Sequence, residues 1–127
     1  MSGVPPNLNR VGHLVQPVKL YGDKAATVQM LVDTGATFSM IPEALARDLG
    51  LMRHRRPVMM TLADGHRKKF AASTAIFRVA GREAPATILI GSVVEPILGV
   101  ETLEALGLAF DPRKGRLTPT RGYTVRG

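Results

Sequence analysis

"MLVDTGATFSMI", residues 30–41, is the stretch on which the reading of this chain turns. The apolar run Met30-Leu31-Val32 leads straight into Asp33. Two small residues, Gly35 and Ala36, follow, with hydroxyls at Thr34, Thr37 and Ser39. A carboxylate at the end of an apolar run gains nothing from packing, because burying an unpaired charge is costly. Asp33 is therefore either a turn residue that caps a loop or a reacting group. The triplet Asp33-Thr34-Gly35 does not decide alone. A given tripeptide of common residues arises by chance in roughly a few per cent of chains of this length.

Size and composition narrow the field. The 127 residues make one domain with one hydrophobic core, and an apolar fraction of 45% fits a globular fold. There is no Cys, which excludes disulfides and a thiolate nucleophile. The His residues, at 13, 54 and 66, lie too far apart for a ligand set, so neither a metal nor a cofactor is expected. No apolar run approaches the roughly 20 residues of a membrane helix. The opening "MSGVPPNLNR" carries no apolar signal core. The chain thus reads as soluble, without a membrane segment, and cytoplasmic by default.

The net charge of +7 raises the question of nucleic acid. The basic residues form separate short clusters: Arg53-His54-Arg55-Arg56, Arg67-Lys68-Lys69, and Arg113-Lys114 with Arg116. Few aromatics accompany them for base stacking. Solvated loops and strand edges are the favoured reading, and no nucleic-acid partner is expected.

Along the chain, short strands are broken by turn signals. Strands are expected at 13–20, with Pro17 marking an edge, and at 26–32, 57–62, 68–79 and 86–90. Ala63-Asp64-Gly65-His66 reads as a hairpin turn between two of them, and Ala80-Gly81-Arg82 as another. A final hairpin joins 107–111 to 116–120. Helices are expected at 42–49, with Pro42 as the first helical position and Gly50 as the stop, and at 101–106 before Gly107. The plan is a flexible segment over 1–10, a mostly-β domain over 11–120 with two short helices, and a tail over 121–127.

Context strengthens the triplet. "ATFSMIP" leads from Asp33 towards a helix, and further on comes "ILIGSVVEPILGVETLEALGLAFDP", residues 88–112. That second stretch holds a strand, a turn, Ile97-Leu98-Gly99, a short helix and a closing strand. Together the two stretches resemble the retropepsin-like family of single-domain aspartic proteases, over about residues 11–120. The resemblance implies a closed, barrel-like β fold with Asp33 beside a loop braced by Ile97-Leu98-Gly99. It makes Asp33 the catalytic residue, with Thr34, Gly35 and Ala36 supporting its loop. Gly35 would let a backbone N–H reach the carboxylate, and Thr34 would brace paired loops across a dimer. The tip formed by Leu62, Ala63, Asp64, Gly65 and His66 would be the flap that closes over a bound peptide. Val32 and Ile97 are the candidates for an apolar substrate pocket.

Two carboxylates are needed to activate water and polarise a peptide carbonyl, the pairing seen in pepsin-type dyads. The sequence holds no second Asp-Thr/Ser-Gly. The partner is therefore expected to be Asp33 of a second copy, on the axis of a homodimer. Thr37 and Val100 stand where viral members often carry an acidic residue and an Arg, so the ion pairing that helps fix some viral dimers is absent. The flap region has one glycine, Gly65. The expected activity is an aspartic endopeptidase acting on peptide or protein substrates. The alternative is a binding or assembly module of the same fold that does not cleave.

Overall fold

The structure, a computed structural model, describes residues 14–120. The segments expected over 1–10 and 121–127, and His13 at the start of the first expected strand, lie outside the described residues. Nine strands and two helices are described. In chain order they are β1 (Leu14–Tyr21), β2 (Ala25–Val32), β3 (Ser39–Pro42), α1 (Glu43–Leu49), β4 (Val58–Thr61), β5 (Arg67–Val79), β6 (Arg82–Gly91), β7 (Ile97–Leu98), α2 (Val100–Leu106), β8 (Leu108–Asp111) and β9 (Arg116–Pro119).

Seven strands form one sheet in the order β1-β2-β7-β3-β6-β5-β4, and β8 and β9 form a separate hairpin. β1 also pairs with β5, matching Lys19 with Arg78 and Tyr21 with Ile76, so the sheet bends back on itself. The first two strands follow elementary alternation. Val18 and Leu20 are buried while Pro17 and Lys19 face out, and Val28 points inward between exposed Thr27 and Gln29. At the end of β2 the alternation stops, and Met30, Leu31 and Val32 are all buried. A strand covered on both faces needs apolar residues at every position. This is the point from which Asp33 emerges.

The core gathers Leu20, Met30, Val32, Ile41, Phe77 and Leu98 with the inner sides of α1 and α2. A smaller cluster, Phe70, Ala72 and Leu89, lies under Phe38, Met40, Val58 and Met60. Burying a large apolar side chain contributes about 1.5–3 kcal/mol. The second cluster therefore ties the β4–β5 hairpin to the chain just beyond Asp33.

Three local expectations are corrected. Pro42 is the N-cap of α1 and the last residue of β3, in extended conformation, and not the first helical residue. The strand expected at 86–90 runs from Arg82 to Gly91. Ser39–Pro42 and Ile97–Leu98 are strands in their own right. Both helices end at the expected glycines, Gly50 and Gly107.

Candidate active site

The site is built where β2 ends. β7 runs parallel to it, pairing Leu31 with Ile97 and Val32 with Leu98. The Leu31 N–H donates to the Pro96 carbonyl at 2.9 Å, and the Asp33 N–H to the Leu98 carbonyl at 3.0 Å. The backbone is thus pinned on both sides of Val32 before the chain turns. The turn is closed by the Ala36 N–H donating to the Asp33 carbonyl at 3.1 Å.

Within that turn the Gly35 N–H donates to Asp33 Oδ1 at 2.9 Å. A backbone N–H aimed at a carboxylate oxygen makes a charge-assisted bond and fixes the rotamer. A Cβ at position 35 would stand 3.3 Å from the same oxygen, so glycine gives the carboxylate room. Among the described residues Asp33 Oδ2 has no hydrogen-bond partner. Asp33 is half-buried, while Thr34 and Gly35 are exposed.

The loop is clamped from the other side by the start of α2. The first N–H groups of a helix have no partner inside it. Here those of Val100 and Glu101 donate to the carbonyls of Ala36 and Thr37, each at 2.9 Å. Such close approach demands that position 99 carry no side chain. A Cβ on Gly99 would lie 2.5 Å from the Phe38 carbonyl carbon and 3.0 Å from the Ala36 oxygen.

Ser39 completes the clamp. Its Oγ accepts from the Gly99 N–H at 3.0 Å and lies 2.6 Å from Thr102 Oγ1. Sequence reading singled out neither Ser39 as a brace nor Thr102 at all. The available signal was a lone hydroxyl on each of two apolar stretches, since a buried hydroxyl needs a partner. Nothing local says that the partners are each other.

Two concavities border the loop. A cleft of about 290 Å³ lies between Thr34–Thr37 and the side chains of Val100, Glu101 and Glu104. A larger, mostly apolar one of about 470 Å³ is lined by Thr34, Val100, Leu103, Leu108, Phe110 and Thr120. Thr34 belongs to both. Of the residues put forward for a substrate pocket, Val32 has no exposed surface and packs in the core. Ile97 is half-buried and pairs with both Leu31 and Met40.

The hairpin of β4 and β5 is present, with register Val58–Phe70 to Thr61–Arg67. Its loop is fixed by the Leu62 N–H donating to the His66 carbonyl at 2.7 Å and the Gly65 N–H to the Leu62 carbonyl at 2.9 Å. Gly65 has φ 89°, as a three-residue hairpin loop requires. Asp64 is engaged in the turn. Its Oδ1 accepts from the His66 N–H at 2.9 Å, and its Oδ2 lies 2.9 Å from His66 Nδ1. The His66 side chain and then its N–H hold the Asp64 carboxyl below the usual carboxylate range. Ala63, Asp64, Gly65 and His66 are all exposed.

Residues 21–105 match the model of a family described as "gag-polyprotein putative aspartyl protease". No curated protein matches the chain. Among solved structures, the simian foamy virus (mac) protease in solution is 21% identical, with a TM-score of 0.53 over 72% of this chain and 92% of that one. The EIAV protease complexed with the inhibitor HBY-793 is 23% identical, with a TM-score of 0.61 over 82% of this chain and 95% of that one. The fold is therefore that of the retroviral proteases: mostly β, with two short helices.

Proposed function

Because the chain belongs to the gag-polyprotein aspartyl protease family, we propose that it is an aspartic endopeptidase whose site is shared by two copies of Asp33. The observation that carries this reading is the Asp33 carboxylate itself. One oxygen is held by the Gly35 N–H, and the other has no hydrogen-bond partner among the described residues, at the end of a strand clamped by β7 and α2. A turn residue that merely capped its loop would not need such a frame.

In the proposed reaction a water sits between the two Asp33 side chains, one ionised and one protonated. The ionised carboxylate takes a proton from the water as its oxygen attacks the scissile carbonyl carbon. The protonated one donates to the carbonyl oxygen, giving a neutral tetrahedral diol. As the diol collapses the C–N bond breaks, the protonated carboxyl gives its proton to the leaving nitrogen, and the ionised carboxylate takes a proton from a diol hydroxyl, so the dyad again holds one proton. No covalent intermediate forms. Thr34, exposed beside Asp33, is the proposed brace between copies. The apolar concavity that it shares with Leu103, Leu108 and Phe110 is continuous with that face. The substrate would lie as an extended strand between the Asp33 loop and the β4–β5 arm, with Ala36 and Ile97 facing it.

The test is hydrolysis of a diverse peptide library by the wild type beside Asp33→Asn. The amide keeps the shape but cannot act as base, and the expected loss is about 10²–10⁴-fold. Cleavage by the variant at the parent rate would remove Asp33 from the chemistry. Peptide binding without cleavage by the wild type would point instead to a non-cleaving binding module.

A further inference from the structure

The structure gathers basic residues that the sequence scatters. His54 donates its N–H to the Ala72 carbonyl at 2.7 Å, and Arg53 forms a bridge with Ser73, so residues 53–54 run alongside β5. β4 then continues along the same strand, pairing Met59 with Lys69, Met60 with Lys68 and Thr61 with Arg67. The clusters at 53–56 and 67–69 thereby join on one arm. Arg53 is paired with Glu43. Arg55, Arg56, Arg67, Lys68 and Lys69 are exposed and have no carboxylate partner among the described residues. The one acidic group at the tip, Asp64, is occupied by His66.

The strand register sorts these charges. Cross-strand neighbours share a face, and successive residues alternate. Val58, Phe70, Met60 and Lys68 therefore share the face that packs over Phe38 and Met40, just beyond the Asp33 loop. Lys68 Nζ stands over the Phe70 ring at 5.2 Å from its centroid, which directs the ammonium along this face. Arg67 and Lys69 lie on the opposite face. The outer edge of β4 has no strand beside it among the described residues and ends the sheet.

We propose that the β4–β5 arm selects acidic extended peptides, with Lys68, on the face toward Phe38 and Met40, pairing with a substrate Asp or Glu and Arg55, Arg56, Arg67 and Lys69 adding the field that draws such peptides in. This rests on the peptidase reading for the position of the substrate strand. A row of uncompensated cations along the arm favours an anionic strand beside it, both by steering its approach and by pairing once it is bound. A peptide suits the arm better than nucleic acid. Phe70, the aromatic of the arm, is buried and cannot stack on a base.

The experiment uses three fluorogenic peptides with one apolar core, flanked by Glu, by Gln or by Lys. For the wild-type protein, kcat/KM should fall by about fivefold at each step from Glu to Gln to Lys at low salt, as several exposed ion pairs together would give. The spread should shrink at an ionic strength of about 0.5 M. Lys68→Glu should narrow the gap between the Glu and Lys peptides, and an unchanged gap would remove Lys68 from the selectivity. Equal kcat/KM for all three overturns the proposal. In parallel, Asp33→Asn is titrated with the labelled Glu and Lys peptides and with a single-stranded oligonucleotide, read by fluorescence anisotropy. If no peptide is cleaved but the Glu peptide binds at least fivefold more tightly than the Lys peptide, the selectivity stands and the peptidase reading falls. Tighter binding of the oligonucleotide than of the Glu peptide overturns the proposal in favour of a nucleic-acid surface.

Discussion

Ser39 Oγ and Thr102 Oγ1 lie 2.6 Å apart, both fully buried, although 63 positions separate them in the chain. Through the Gly99 N–H, which Ser39 also accepts, the pair locks β3 to the start of α2 and so holds the Asp33 loop between them. Removing the acceptor leaves a buried N–H unsatisfied, at a cost of about 1–3 kcal/mol. Ser39→Ala should lower the thermal midpoint and kcat together, with Ser39→Thr restoring both. Thr102→Val should cost less, because Gly99 keeps its acceptor. In a double-mutant cycle the two should be non-additive, since they share one bond. Additive losses would mean that the hydroxyls act independently.

Gly99→Ala tests the closeness of that packing. The new methyl would meet the Phe38 backbone at 2.5 Å, and a backbone cannot swing aside as a side chain can. Overpacking of this kind costs about 1–3 kcal/mol or more, and here it would push α2 away from the carbonyls of Ala36 and Thr37. Chemical denaturation should show a lower midpoint, with activity lost in the fraction that stays folded. A fully stable and active Gly99→Ala protein would contradict the clamp.

At the arm tip the expectation is different in kind. A Cβ on Gly65 meets nothing within 4 Å, so the obstacle to substitution is conformational and not steric. The left-handed conformation at φ 89° costs an L residue about 1–2 kcal/mol, more for a β-branched one. Gly65→Val should reduce kcat/KM and lower the midpoint by a few degrees, and Gly65→Asn should be tolerated. Normal kinetics for Gly65→Val would make residues 63–66 an ordinary surface turn.

The same tip has a pH dependence of known sign. Interaction with His66 lowers the Asp64 pKa in the fold. The stabilisation is present above the unfolded carboxylate pKa and is lost as pH falls through the lower, folded value. Protection of the His66 and Gly65 amides, relative to intrinsic exchange at the same pH, should therefore fall only on acidification below the usual carboxylate range. Asp64→Asn should show no such step. Because the pair is exposed, the global midpoint should barely follow it.

Much of this architecture is written locally. Asp33-Thr34-Gly35, the Asp64-Gly65 tip and the glycine helix stops each carry their structure in adjacent residues. β3 and β7 do not. Ser39–Pro42 becomes a strand by pairing in parallel with Ile88–Gly91, and Ile97–Leu98 by lying between β2 and β3. Two to four residues hold no period of their own, and their partners are distant. β6 was legible only from Ala86 because Pro85 argues against a strand interior. Pro85 is accommodated because it pairs with Ile76 on one side, while β3 reaches β6 only from Ile88 onward. Val32 illustrates the opposite error. It was a candidate for an apolar pocket, but its side chain has no exposed surface and packs in the core.

The shared-site proposal predicts that activity follows association. Each chain supplies one Asp33, and the sequence has no second triplet to complete a dyad. Specific activity should rise with total protein and level off above the dimer dissociation constant, by mass action. Thr37 and Val100 are uncharged, so a dimer of this chain would lack ion pairs at those positions, and the rise should fall within ordinary working concentrations. Excess Asp33→Asn chains should poison the wild type, since each mixed dimer carries one carboxylate and one amide. At a nine-to-one mixture with random pairing, roughly nine in ten wild-type chains sit in mixed dimers, and the remaining activity should fall in proportion. Specific activity is measured against dilution, with sedimentation of the same samples to read their mass. Full activity in a sample that sediments as monomer would remove the second Asp33 from the site, and with it the two-carboxylate mechanism.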